Sequence, residues 1–313
     1  MTRPKVGVIG AGQVGATAAQ RIVEENLADV VLADIVEGMP QGKALDLMEA
    51  SPLKGHEATI IGTNDYAEIK GSDIVIVTAG VARKPGMTRM DLLKINAGIV
   101  KDVSEKIRQF APESILIIVT NPLDVMTSLA HQITRFPKRR VMGMAGVLDS
   151  ARFRYFLAEK LKVNGKDIEA MVLGGHGDEM VPLPRFSTVK GTPITQLLKK
   201  EELDALITRT RNGGAEIVSL LKQGSAYYAP GASVFEMVQA ILNDEKRVLP
   251  CSAFLEGDYG LKGVFCGVPC RLGRKGILEI VELPLSDEEK RALSQSAARV
   301  REGVQELSTV LTS

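Results

Sequence analysis

The chain of 313 residues is poor in several features that would each announce a function class. Cysteine is limited to Cys251, Cys266 and Cys270, an odd number that builds no disulfide framework and fits a reducing compartment. Cys266 and Cys270 flank Gly-Val-Pro with no other ligand types beside them, so structural thiols and no metal site are expected. Charge of one sign is not in excess: 39 Lys and Arg against 38 Asp and Glu leave a net charge of +1. That balance removes the bulk electrostatic reason to expect nucleic acid or a charged membrane as a partner. No apolar run approaches the ~20 residues of a membrane span. The segment Met1–Lys5 leads directly into a short apolar strand and glycines, unlike a secretory h-region. A soluble, cytoplasmic protein is the expectation. With 45% hydrophobic and 25% charged residues the composition is globular, and the length suits two domains of ordinary size.

Histidine is also scarce, and one of the three is conspicuous. His56 lies in Pro52–Glu57, read as an exposed turn, and His131 lies within a helical pattern; neither carries a functional reading. His176 sits in Gly174-Gly175-His176-Gly177-Asp178, directly after the β-reading run Ala170–Leu173. Glycines there admit unusual backbone conformations and close approach, and an imidazole exchanges a proton near neutral pH. Taken alone, a satisfied loop histidine explains the segment as well.

The first half of the chain alternates short β-branched runs (Val6–Ile9, Val30–Leu32, Thr59–Ile61, Ile74–Val77, Ile115–Val119) with helical patterns. Helices are expected over Val14–Glu25 and Asp91–Phe110, the latter with Leu92, Ile95, Ile99, Val103 and Ile107 at helical spacing. This grammar predicts a doubly wound parallel sheet of Rossmann type with right-handed crossovers. After about Ala145 the pattern changes to a helix (Leu148–Leu161), paired β-reading runs (Val264–Leu272, Ile277–Leu283) and long helices, an α+β arrangement. The expected division is a nucleotide-binding domain over residues 1–145 and a substrate domain over 146–313. The last helix carries a capping box, Ser286 with Glu289, and an apolar stripe of Leu293, Ala297, Val300, Val304, Leu307 and Leu311.

Gly10-Ala11-Gly12-Gln13-Val14-Gly15 stands between the first strand and the first helix. Gly10 suits a tight turn, Gly12 lets a pyrophosphate approach the backbone, and Gly15 lets helix and strand pack closely. The helix N-terminus offers free N–H groups and a positive dipole to phosphates. Asp34 ends the second strand; a carboxylate there accepts both hydroxyls of an adenosine ribose and repels a 2′-phosphate, which predicts NAD over NADP.

Arg83 and Arg89 lie in a Pro- and Gly-containing segment, Ala79–Arg89, after a buried strand, where loops often close over cofactors. Asp149 and Arg152, three apart, share one helix face and would otherwise form only an intrahelical ion pair. Asn121-Pro122 follows the fifth strand at its carboxyl end, where open α/β sheets bind ligands.

Together these motifs resemble the lactate/malate dehydrogenase family, in particular its malate dehydrogenases of the lactate-dehydrogenase-like type, over nearly the full length. The resemblance implies that His176 is the catalytic acid/base and that Asp149 fixes its tautomer. It implies that Arg152 clamps the substrate carboxylate through a bidentate fork and that Arg89 polarises the carbonyl. Asn121 would touch substrate and nicotinamide alike, with Asn96 and the Val119 backbone as further contacts to NAD, and the Asn121–Pro122 bond would be cis. Arg83 stands where lactate-specific members usually carry a neutral Gln, which favours a dicarboxylate, malate or oxaloacetate, and Ala226 would leave room in the same pocket. A lactate or other 2-hydroxy-acid dehydrogenase is the nearest alternative, and a nucleotide-binding regulatory protein on the same fold is the rival of another class. The resemblance also implies a homodimer or homotetramer, to which the amphipathic Met39–Met48 segment would contribute.

Overall fold

The structure, a computed structural model, describes residues 3–81 and 88–312, apart from the side chains of Arg89 and residues 310–312. The apolar runs of the first half form strands β1 (Lys5–Ile9), β2 (Asp29–Ala33), β3 (Ile60–Thr63), β4 (Ile74–Val77), β5 (Ile115–Ile118) and β6 (Val141–Gly143). Helices α1 (Gln13–Glu24), α2 (Met39–Glu49), the short α3 (Ser51–Lys54), α4 (Arg89–Phe110) and α5 (Leu123–Thr134) lie between them. The strands pair in parallel in the order β3-β2-β1-β4-β5-β6. Val6 aligns with Val30 on one side and Ile74 on the other. Strands β4 and β5 are buried at every position, as a sheet covered on both faces requires. The strand order reverses between β1 and β4, and a crevice opens there at the carboxyl ends.

The second half begins with α6 (Gly146–Leu161), followed by β7 (Ile168–Glu169), β8 (Val172–Gly174), β9 (Met180–Pro182), β10 (Thr188–Val189) and β11 (Thr192–Pro193). Helices α7 (Ile194–Leu197), α8 (Lys200–Leu221) and α9 (Tyr228–Leu242) come next, then β12 (Val248–Glu256), β13 (Lys262–Gly273), β14 (Gly276–Ile280) and α10 (Asp287–Thr312). β12, β13, β8 and β9 continue the parallel sheet beyond β6 in antiparallel fashion, so one sheet crosses both halves. The join is a single row: Gly143 of β6 pairs with Ser252, Ser252 with Gly267, and Gly267 with Gly174. A Cβ on Gly267 would sit 2.3 Å from the Gly174 carbonyl oxygen, so only glycine lets these strands meet.

α10 starts at the expected box: Ser286 N donates to Glu289 Oε2 (2.7 Å) and Glu289 N to Ser286 Oγ (3.2 Å). Its stripe is buried at Leu293, Ala297, Val300 and Leu307. One expectation fails. His56 is not in an exposed turn but 7% exposed, because Gly55 ends α3 in a left-handed conformation (φ 76°) and turns the chain inward. Its Nδ1 then meets the Ala58 carbonyl at 2.9 Å. The three cysteines are buried and unpaired in β12 and β13.

Candidate active site

The glycine turn after β1 is held from several sides. Gly10 adopts φ 105° and donates its N–H to the Ala33 carbonyl (2.8 Å), tying the turn to β2. A Cβ on Gly15 would lie 1.9 Å from the Gly10 carbonyl oxygen, so α1 packs on the turn only because position 15 has no side chain. A Cβ on Gly12 would meet nothing within 4 Å; that face of the backbone is open to the crevice. Asp34 accepts the Ala11 N–H on Oδ2 (2.7 Å) and the Val36 N–H on Oδ1 (3.0 Å), which leaves further lone pairs on both oxygens.

Three cavities follow one another across the carboxyl edge. The first, about 480 Å³, runs from Asp34, Ile35 and Val36 to Gly12, Thr78, Gly80 and Val81. The second, about 620 Å³, shares those last four residues and adds Gln13, Val14, Val119 and Asn121. The third, about 320 Å³, shares Val14, Val119 and Asn121 with the second and contains Arg152, His176 and Ala226. A continuous crevice therefore leads from the Asp34 carboxylate, past the open N-terminus of α1, to the His176 imidazole. Its apolar adenosine-sized end, phosphate-facing N–H groups and ribose-facing carboxylate fit a dinucleotide.

At the far end, His176 Nδ1 lies 2.9 Å from Asp149 Oδ2. The other Asp149 oxygen meets Arg152 Nη1 at 3.4 Å. Asp149 is 2% exposed, so one buried carboxylate serves both an imidazole and a guanidinium. Burial pushes the His176 imidazole down, but the Asp149 charge and hydrogen bond outweigh it and leave its pKa raised. Burial lowers the Arg152 pKa against the opposing pull of Asp149. Arg152 Nε is buried with no partner, so its fork still has donors to give. The paired glycines of α8 make room for it: a Cβ on Gly213 would stand 3.3 Å from Arg152 Cδ, and one on Gly214 3.5 Å from Nη2.

The structure thus brings Gly10, Ala11, Gly12, Gln13, Val14, Gly15, Asp34, Val119, Asn121, Asp149, Arg152, His176 and Ala226 to one crevice or its immediate backing. The Asn121–Pro122 bond is cis, as the resemblance implies. Asn96 stands at the wall of the crevice. It is 1% exposed and spends its amide on the backbone, accepting from Val81 N (2.8 Å) and donating to the Val81 (3.2 Å) and Asn121 (2.7 Å) carbonyls. It braces two walls of the crevice from behind. Arg83 lies outside the described residues, as does the side chain of Arg89, whose backbone opens α4. α4 starts at a capping box, with Thr88 N donating to Asp91 Oδ2 (3.0 Å) and Asp91 N to Thr88 Oγ1 (3.1 Å).

Several participants carry no local signal in the sequence. Asp124, in the first turn of α5, accepts the His176 backbone N–H on Oδ2 (2.9 Å) and the Ser252 hydroxyl on Oδ1 (2.6 Å). Ser296 of α10 accepts the Gly175 N–H (2.7 Å). Thr78 donates to the Gly10 carbonyl (2.9 Å) and Lys43 to the Ala11 carbonyl (2.7 Å), stiffening the glycine turn. An acidic residue in the otherwise apolar turn Leu123–Met126 was the one available hint for Asp124.

Comparison with known proteins agrees with this geometry. Residues 4–143 match the lactate/malate dehydrogenase NAD-binding domain, and residues 146–309 match the alpha/beta C-terminal domain of the same family. A malate dehydrogenase of Chlorobium limicola is 57% identical over 309 residues, 98% of this chain and 100% of that one. The crystal structure of Cryptosporidium parvum malate dehydrogenase superposes with a TM-score of 0.96 at 45% identity, covering 98% of this chain and 100% of that chain. A lactate dehydrogenase of the same organism, complexed with lactic acid and nicotinamide adenine dinucleotide, gives 0.95 at 43% identity, covering 98% and 99%. With both family models matched in order and relatives above half identity at full coverage, the chain belongs to the lactate/malate dehydrogenase family.

Proposed function

We infer that this chain is an NAD-dependent malate dehydrogenase, interconverting malate and oxaloacetate. The observation that carries the reading is the His176–Asp149–Arg152 cluster at the end of a crevice that begins at Asp34. When bound, NADH supplies the hydride for the carbonyl carbon. The chain's own residues do the rest. Gly10, Ala11, Gly12, Gln13, Val14 and Gly15 receive the pyrophosphate, Asp34 the adenosine ribose, and Val119 and Asn121 the nicotinamide end, while Asn96 holds Val81 and Asn121 in place.

Arg152 takes the 1-carboxylate, using guanidinium donors that Asp149 leaves free. That orients the 2-carbon beside His176, whose Nε2 gives its proton to the carbonyl oxygen as Nδ1–H remains bonded to Asp149. Arg89 stabilises the negative charge developing on that oxygen. In malate oxidation neutral His176 takes the proton back. Arg83 pairs with the distal carboxylate, and this pairing separates a diacid from pyruvate: an unpaired buried carboxylate costs several kcal/mol. Ala226 leaves space for it. Lactate dehydrogenases share the fold, so the fold alone does not choose the substrate.

The functional units divide at residues 145 and 146. A homodimer or homotetramer is the assembly this reading implies, with Leu45 on α2 and Leu53 on α3, 62% and 89% exposed, available for the contact. Among the described residues no helix is long and apolar enough to cross a membrane. The cytoplasm is the compartment that fits free cysteines. The experiment is His176→Asn. The variant should bind NADH as the parent does and turn over oxaloacetate at least ~100-fold more slowly, the contribution of a general acid. Retained activity removes His176 from the reaction.

A further inference from the structure

Asp124 is the second carboxylate behind His176, and nothing in the reaction as described uses it. α5 presents it from the helix's first turn, where it is 4% exposed between Leu123, Val125 and Met126. The place is cleared for it by the sheet. The row Gly143–Ser252–Gly267–Gly174 crosses four strands, and a Cβ on Gly143 would stand 2.7 Å from Thr127 Oγ1 of α5. α5 therefore presses against that row, and Ser252, the member with a side chain, donates its hydroxyl to Asp124 Oδ1 at 2.6 Å. The other oxygen takes the His176 backbone N–H at 2.9 Å, and a Cβ on Gly175 would stand 3.4 Å from it. Ser296 accepts the neighbouring Gly175 N–H at 2.7 Å, so two successive amides of the loop are fixed from two helices far apart in sequence.

We propose that Asp124 is a positioning residue for proton transfer: buried and bonded to Ser252 and to the His176 backbone, it fixes the loop that aims the imidazole. This rests on the acid/base role given to His176. The groups facing that imidazole are Asp149 and Arg152 from α6 and Asp124 from α5, with Asp178 on the loop and Arg211 of α8 lining the same cavity. Cys266 of β13 faces Asp124, and burial together with the Asp124 charge pushes its thiol up, so it adds no negative charge. Burial raises the Asp124 pKa, and the bonds from Ser252 and His176 N pull it back. Ser252 thus opposes the effect of burial on the carboxylate. Asp124 adds a smaller upward pull on the His176 pKa to that of Asp149.

The test is Asp124→Asn, which keeps the shape but leaves one acceptor oxygen for two donors, the Ser252 hydroxyl and the His176 N–H, and removes any charge. Its readouts are kcat, KM for oxaloacetate, NADH affinity, and the NMR titration of the His176 ring, assigned by its loss in His176→Asn. kcat should fall roughly 10- to 100-fold, the scale of a misaimed catalytic group, with KM and NADH affinity unchanged. The His176 titration should move lower, as for the loss of a neighbouring charge. Unchanged kcat with an unmoved His176 titration overturns the proposal. If Asp124→Asn does not fold, Ser252→Ala replaces it and should lower kcat roughly 3- to 10-fold, the worth of one hydrogen bond. Parental kcat in a folded Ser252→Ala would then overturn the proposal. Should the parent protein itself not reduce oxaloacetate, the functional reading fails, and the NMR titration still judges the link between Asp124 and His176.

Discussion

Replacing Asp149 by asparagine is the perturbation whose size the structure fixes most closely. Both carboxylate oxygens are engaged, one 2.9 Å from His176 Nδ1 and one 3.4 Å from Arg152 Nη1, with the side chain 2% exposed. Asparagine has one acceptor and one donor end. Facing its oxygen to Arg152 aims its NH₂ at His176 Nδ1, which then must accept and carries the proton on Nε2, the tautomer unable to take a proton from malate. Facing the oxygen to His176 sets NH₂ against guanidinium. In either arrangement the imidazolium formed during turnover has lost its buried counter-charge. Breaking one member of a buried pair costs about 3–5 kcal/mol, and at 1.36 kcal/mol per tenfold that is a loss of roughly 150- to 5000-fold in kcat. The pH dependence has a definite sign. Oxaloacetate reduction needs protonated His176, so kcat/KM holds below the raised His176 pKa and falls as pH rises through it. The Asp149→Asn substitution removes the cause of the rise, and the falling limb moves to lower pH. Steady-state NADH oxidation across pH reads both effects, and NADH fluorescence titration confirms an intact cofactor site. A variant within about threefold of the parent kcat, or with an unmoved limb, refutes the reasoning.

Three further perturbations probe other parts of the crevice. Arg83→Gln should lower oxaloacetate kcat/KM by at least ~100-fold, the cost of leaving the distal carboxylate unpaired, with NADH affinity unchanged; steady-state kinetics with both ligands decides. Gly15→Ala places a Cβ 1.9 Å from the Gly10 carbonyl oxygen, so it should abolish NADH binding in calorimetry and lower Tm; parental affinity would mean the turn does not bind pyrophosphate. Asp34→Ala should weaken NADH by roughly 10-fold, as expected for lost charge-assisted bonds, and improve NADPH relative to it; an unaltered NADH:NADPH preference contradicts the ribose role.

How much was legible in the sequence depends on whether a signal was local. β4 and β5 declare themselves because a strand covered on both faces must be apolar throughout. The glycine turn and the His176 loop are equally legible, since each compresses its geometry into a few adjacent residues. Asp124, Ser252 and Ser296 hold the His176 loop through hydrogen bonds that span 52 to 128 residues of sequence, and a serine or aspartate alone does not say what it faces. The two-residue strands β7, β10 and β11 are too short to carry a period. The antiparallel extension of the sheet depends on one glycine–serine row, which no periodicity encodes. Asn96 was legible as part of the crevice, but its bracing bonds to Val81 and Asn121 were not, because the burial behind them is invisible in one dimension.

The most direct single measurement is the ratio of kcat/KM for oxaloacetate to that for pyruvate, with NADH saturating, in the parent protein. In the proposed mechanism Arg83 and Arg152 each take one carboxylate, and pyruvate has only one to offer. The expected ratio is at least ~10³, the equivalent of about 4 kcal/mol of transition-state discrimination. Equal turnover of both acids, or preference for pyruvate, contradicts the assignment of this crevice to a four-carbon diacid.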